Sequence, residues 1–196
     1  MKVKKLLGYQ VLDSRGRPTV AASITLEDGT THTARVPSGA STGKHEALEL
    51  RDGDQLAHNN FYGTLSVTKA VENVNTRIAP LIVGQQVDLN FIDGEIRTLD
   101  TTSNFSSLGA NATLSVSLAA AKASAHAHNV SLAKYFQPQG NLLIPMPMVN
   151  ILSGGAHANR SLDFQDVLIV PTGASSFTEA LSWIVAIRET AAQLGS

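Results

Sequence analysis

A change of repeat after residue 36 constrains this chain more than any other feature. Val20, Ala22, Ile24 and Leu26 alternate with Ala21, Ser23 and Thr25, the two-residue period of a half-buried strand. Glu27-Asp28-Gly29-Thr30 follows as a hairpin turn, because Asp-Gly takes positive φ readily. Thr31 to Val36 is the expected return strand, and the opening of the chain also reads as β structure. Beyond a Ser/Gly-rich stretch the repeat lengthens. Val67, Val71, Val74, Ile78, Leu81 and Ile82 fall on one helical face, with Ala79-Pro80 marking its end region. Phe91, Ile92, Ile96 and Leu99 predict a shorter helix. Leu108 to His128 is rich in Ala and Leu and nearly apolar all round, which predicts a mostly buried helix. A hairpin followed by helices is an α+β domain, here over roughly residues 1–138.

Gln137-Pro138-Gln139-Gly140 punctuates the chain, and residues 139–196 follow a different grammar. Leu142 to Leu152 reads as a buried strand ended by Ser153-Gly154-Gly155, and Val167 to Val170 as a second strand stopped by Pro171. The strand ended by Gly154-Gly155 is expected to be of the parallel type found in α/β domains. Ser176 and Glu179 stand at capping-box spacing ahead of a helix through Ala180, Leu181, Ile184 and Leu194. Two strands and one helix cannot enclose a core, so this segment is expected to be the opening of a larger α/β domain. Its exposed edge predicts poor solubility.

Composition narrows the function classes. The 196 residues are 43% apolar and 16% charged, with a formal net charge of −1. Nucleic-acid binding normally needs a basic excess or a concentrated basic face, so it is not expected. The chain has no cysteine, which removes disulfide and thiolate chemistry. Its basic start leads into no long apolar run, so neither a secretory signal nor a membrane span is expected. The expected location is the cytoplasm.

Two segments carry residue types suited to chemistry. Val36-Pro37-Ser38-Gly39-Ala40-Ser41-Thr42-Gly43-Lys44-His45-Glu46 is crowded with small and hydroxyl residues, so its backbone bends sharply and its N–H groups are approachable. It is not a nucleotide P-loop: three residues rather than four separate Gly39 from Gly43, and His45 follows Lys44 where Ser or Thr is required. A plain surface connection and a flap closing over an anion and a metal both fit the composition. The second segment is Ser153-Gly154-Gly155-Ala156-His157-Ala158-Asn159 with Phe164-Gln165-Asp166. His157 suits a phosphate contact or a proton transfer near neutrality, and Asp166 suits acid/base work. A loop histidine and a surface aspartate are the bland alternative. His126 and His128, two apart on a helix, diverge and make a poor metal pair, and His32 and His58 have no partner in sequence.

Six ordered segments resemble the enolase family. They are Val11-Leu12-Asp13-Ser14-Arg15-Gly16, the Ser38 to Asp52 stretch, Ala70-Val71-Glu72-Asn73-Val74-Asn75, Leu108-Gly109-Ala110-Asn111-Ala112, Gly154-Gly155-Ala156-His157-Ala158 and Pro171-Thr172-Gly173-Ala174. The resemblance runs from about Lys5 to Leu194. It implies an amino-terminal α+β capping domain joined to the start of a TIM-like α/β barrel. The implied activity is phosphopyruvate hydratase, the glycolytic lyase that reversibly dehydrates 2-phosphoglycerate to phosphoenolpyruvate with Mg²⁺. It further implies that Ser41 ligates a metal, that Gly39, Ala40, Ser41, His157, Gln165 and Asp166 contact substrate, and that His157 and Asp166 serve catalysis. Pairing through the amino-terminal domain into a homo-oligomer is implied as well.

The chain departs from the family pattern at several places. Gln165-Asp166-Val167 stands for Gln-Glu-Phe, Ser153 for Asn, Arg17 for Asn, Leu99-Asp100-Thr101-Thr102 for Leu-Asp-Gly-Thr, and Phe105 for Lys. Asp166 holds its carboxylate back by about one bond length, ~1.5 Å, relative to Glu. In the family the base lysine, a second catalytic glutamate and three metal-binding carboxylates lie further along the barrel, so these residues alone are expected to be inactive. The alternative expectation is a non-catalytic truncated or decaying copy acting as a dimerisation or binding module.

Overall fold

The computed structural model describes residues 1–39, 42–53, 62–155 and 163–194. The chain divides into two compact units, Met1–Gly140 and Asn141–Ser196. The first opens with an antiparallel meander of β1 (Val3–Leu12), β2 (Pro18–Leu26) and β3 (Thr31–Arg35) in the order β1-β2-β3. Gly29 takes φ +87° in the β2–β3 turn, the conformation expected of an Asp-Gly hairpin. Val20, Ala22, Ile24 and Leu26 are buried, but so is Ala21, so the alternation on β2 is clean only from Ser23 onward.

A helical run crosses this sheet as α1 (Thr68–Glu72), a π segment (Asn73–Ile78) and α2 (Ala79–Ile82). Pro80 explains the wide turn. It has no N–H to give the preceding turn and its ring crowds the carbonyl four residues back; here the Ala79 N–H reaches Val74 O, five residues back, just ahead of it. Val67, Val74, Ile78 and Ile82 are fully buried, each contributing about 1.5–3 kcal/mol by leaving water. At Gly8 the π segment touches β1 so closely that a Cβ there would lie 2.7 Å from Val74 Cβ. Asn75 uses this proximity: its Oδ1 accepts from Gly8 N at 2.8 Å and its Nδ2 donates to Gly8 O at 3.0 Å.

Helix α3 (Leu89–Leu99) starts at Asp88, whose carboxylate accepts from Phe91 N. Helix α4 (Ala110–Ala127) lies across β2 and β3. It is mostly buried as expected, but through its small residues: Ala112, Ala119, Ala120 and Ala123 are sealed while Leu114 and Leu118 stand about two-fifths exposed. A five-residue helix, α5 (Leu132–Phe136), capped by Ser131, precedes the end of this unit.

The second unit contains β4 (Val149–Ser153), β5 (Asp166–Ile169) and α6 (Phe177–Leu194). Two expectations are corrected here. The strands pair antiparallel, Val149 with Ile169 and Ser153 with Asp166, rather than as parallel-type strands. A connection of a dozen residues suffices to turn the chain back, and a parallel pair would need a crossover as well. The run Leu142 to Leu152 is also not one buried strand: Pro145 and Pro147 lack the N–H groups a ladder needs, so pairing begins only at Val149. Helix α6 starts as its spacing predicts. Ser176 Oγ accepts from Glu179 N at 3.1 Å, while Glu179 Oε2 reaches back to Ser175 N at 2.7 Å and Ser175 Oγ at 2.6 Å. The architecture is therefore an amino-terminal meander with helices, followed by a short piece of barrel domain.

Candidate functional site

In the first unit the candidate site gathers around the two ends of the Ser/Gly stretch. The β1–β2 connection folds on Asp13, whose Oδ1 accepts from Arg15 N and Arg17 N, both at 2.8 Å. The Arg17 backbone bond, followed by the Arg15 contacts, holds the Asp13 carboxyl below the usual carboxylate range despite some desolvation. Arg15 then projects outward. Its Nη2 sits 3.3 Å from Asp13 Oδ2 and donates to Ser38 O at 2.6 Å, tying the turn to the start of the stretch. A groove of about 510 Å³ runs between them, walled by Asp13, Ser14, Arg15, Arg35, Pro37 and Ser38.

One guanidinium clasps the base of the stretch from the other side. Arg51 Nη2 donates to Ser38 Oγ at 3.1 Å and to Glu49 Oε1 at 2.6 Å, and Ser38 Oγ donates to Glu49 Oε2 at 3.1 Å. Arg51 Nη1 donates to Pro18 O at 2.9 Å and also to Leu65 O. Residues 38, 49, 18 and 65 are thereby tied through one planar side chain, the fork geometry that Arg provides and Lys does not. Behind lies a second groove of about 470 Å³ to which Gly39, Thr42, Glu46 and Asn111 contribute.

The floor beneath is built by two residues whose role no spacing rule revealed. Asn111, buried at the start of α4, accepts from Leu50 N at 3.2 Å and donates to Leu50 O at 2.9 Å. Asp52, also buried, accepts from Thr68 N and Lys69 N, both at 2.9 Å, and from Thr68 Oγ1 at 2.5 Å, so it caps α1 from outside the helix. Burial would raise the Asp52 carboxyl, but the bonds from Lys69 N and Thr68 outweigh it and hold it below the ordinary value. Asp100 behaves alike: burial is outweighed by Thr102, by Leu108 N at 2.7 Å and by the Ser107 backbone.

Gln165 and Asp166 lie together in the second unit, where β5 begins. Gly154 N donates to Gln165 O at 2.7 Å, and Gly155, at φ +55°, packs against Gln165. Asn150 Nδ2 donates to Asp166 Oδ1 and to Ser153 Oγ, each at 2.6 Å. Both Gln165 and Asp166 are exposed. Gly39 belongs to the first unit. Ala40, Ser41 and His157 lie outside the described residues.

The departures from the family pattern fit this geometry. Arg17 serves the Asp13 turn through its backbone N–H, which any residue but Pro supplies. Thr101 has no positive φ, so nothing there requires Gly. Phe105 does sit at φ +54° but packs its ring against the core.

Among the described residues no three His, Cys, Asp or Glu side chains converge on a point. Mg²⁺ takes about six oxygen ligands in near-octahedral array, so these residues do not by themselves form its site. No helix is long and apolar enough to cross a membrane among the described residues.

Comparison with known proteins agrees with the segments identified above. Residues 3–136 match the enolase N-terminal domain, and residues 141–194 match the enolase C-terminal TIM barrel domain. Enolase of Helicobacter acinonychis (strain Sheeba) is 48% identical over 182 residues, covering 92% of this chain and 42% of that protein. Enolase of Helicobacter pylori (strain ATCC 700392 / 26695) gives the same identity and coverage. The chain thus spans about two-fifths of the length of these relatives. With the meander, the Asp13–Arg15–Ser38 tie and the Asn111 and Asp52 floor all falling inside the matched region, the chain belongs to the enolase family.

Proposed function

We propose that this chain serves the reversible dehydration of 2-phosphoglycerate to phosphoenolpyruvate, a cytoplasmic step of glycolysis, and that its 196 residues provide the flap and part of the pocket wall. The observation that carries this reading is the 48% identity to enolases over 182 residues, with matches to both domain families. Ser41 would be a metal ligand, with Gly39 and Ala40 shaping the flap around it. His157, Gln165 and Asp166 would meet the substrate, His157 and Asp166 in catalytic roles. Removing a proton α to a carboxylate needs concentrated positive charge and a strong base. Neither is assembled among the described residues. Pairing through Met1–Gly140 into a homo-oligomer belongs to the same proposal.

The test is a coupled assay of 2-phosphoglycerate turnover by the purified 196-residue chain, freed of host enolase. No turnover is expected, and measurable turnover would overturn the division of labour. A non-catalytic binding role is the second reading, favoured by Asp166, whose shortened carboxylate is already bonded to Asn150. A displacement near 1 Å costs about 100-fold in rate. Asp166→Glu, placed in a chain carrying the whole barrel, raises turnover about that much if the catalytic reading holds and leaves it flat under the second.

A further inference from the structure

A cluster of ionisable groups lies far along β2–β3 from the candidate site, where the hairpin turn meets the end of α4. His32 on β3 packs against His126 on α4, ring centroids 4.8 Å apart and planes 43° apart. His126 Nε2 is 3.0 Å from Asp28 Oδ2 in the β2–β3 turn. Lys122, one helical turn earlier, donates from Nζ to Thr33 O at 2.8 Å. His32 Nε2 is sealed from solvent and has no hydrogen-bond partner among the described residues. These contacts join the turn and β3 to the last turns of α4.

We propose that His32, packed against His126 of α4, acts as a proton-operated latch that holds β3 and the adjoining turn on α4 near neutral pH and loosens them in mild acid. A neutral His32 ring packs against His126 with its sealed Nε2 unpaired among the described residues, a cost that a charge on the ring would increase. A protonated one would place a charge on a ring with a sealed nitrogen, packed against His126 and near Lys122, with Asp28 offsetting it only in part. Burial first, then His126 and Lys122, push the His32 proton affinity down, and Asp28 offsets only part of this. Asp28, held by Thr30 and then His126, lies at about 2 and stays ionised throughout. The sign follows from linkage. His32 binds a proton more weakly latched than released, so the latch is complete above the ordinary histidine value of about 6.5 and weakens as pH falls below it.

The test uses the full 196-residue chain and follows each imidazole by NMR from neutral pH into acid, with amide exchange at Thr30–Thr33 alongside. His32 is expected to titrate below the ordinary value. In His126→Asn its midpoint rises by about half a pH unit or more, roughly threefold in proton affinity, because the His126 contribution and part of the burial its ring supplies are removed together. Exchange at Thr30–Thr33, corrected for its intrinsic pH dependence, accelerates in step with His32 protonation, and His32→Gln abolishes that step. A His32 midpoint indifferent to His126→Asn overturns the latch. Should that variant fail to fold, the wild type decides alone: turn amides equally protected on both sides of the His32 titration sink the proposal.

Discussion

Gly109 sits at φ +95°, and an added Cβ would meet Leu50 Cβ at 2.5 Å and Asn111 Oδ1 at 2.6 Å. Backbone strain and a clash with groups that have nowhere to go therefore act together. Gly109→Ala is expected to lower stability by about 2–4 kcal/mol in urea unfolding. Gly29→Ala is the control: its φ is +87° but nothing lies within 4 Å, so strain alone should cost about 1–2 kcal/mol. Equal losses at the two sites would show that the Leu50 approach is not tight. Asp52 makes a different kind of demand. Its folded proton affinity is depressed, so its contribution is present above the unfolded value of about 3.9 and is lost as pH falls through the folded one. Asp52→Asn should flatten the fall in thermal midpoint below about pH 4, and Asp52→Ala should cost about 1–2 kcal/mol at neutrality through the lost cap.

Among elements, the Arg51 clasp decides how firmly the two ends of the Ser/Gly stretch are held. Proteolysis of an exposed segment follows the population of its open form. Charged hydrogen bonds contribute about 1.5–3 kcal/mol each, and about 1.4 kcal/mol is tenfold in population. Arg51→Lys should thus speed tryptic cleavage after Lys44 about tenfold and lower the thermal midpoint by about 2–5 °C. An unchanged cleavage rate would mean that Ser38 and Glu49 are held by other means. The elements themselves were largely readable because their signals are local. The Asp28-Gly29 turn, the Val67–Ile82 face and the Ser176/Glu179 cap each lie within a few residues of what they control. The clasp was not readable, since Arg51 joins partners 13, 14 and 33 residues away. His32 was set aside for the same reason: its partner is 94 positions on, visible only once α4 lies across β3. The strand direction in the second unit failed differently. A strand ending in Gly-Gly suggested barrel chemistry, yet nothing in the pattern of Val149–Ser153 records whether its neighbour runs with it or against it.

At the scale of the whole molecule the two units differ in how much they enclose. Every residue of the continuous buried core, from Val3 to Ala123, belongs to Met1–Gly140. In the second unit Ala180 and Ile184 are the buried apolar side chains among the described residues other than proline, while Leu143, Phe164 and Leu194 are 80% exposed or more. Three sheltered strands and a packed helical layer can unfold as a unit, whereas one antiparallel pair and one helix are marginal in water. Residues 1–140 produced alone should therefore melt cooperatively, and residues 141–196 alone should not. The exposed apolar surface of the second unit should also make the full chain form larger species than the pair proposed for residues 1–140, because exposed apolar surface is buried by association when nothing else covers it. Sedimentation velocity on the two lengths separates the cases. A monodisperse, monomeric full chain with a single cooperative melt would mean that Asn141–Ser196 covers its own apolar residues better than their exposure here allows. Species larger than a pair, confined to the full chain, would place the demand for a further partner surface in the barrel segment, beyond the pairing proposed for Met1–Gly140.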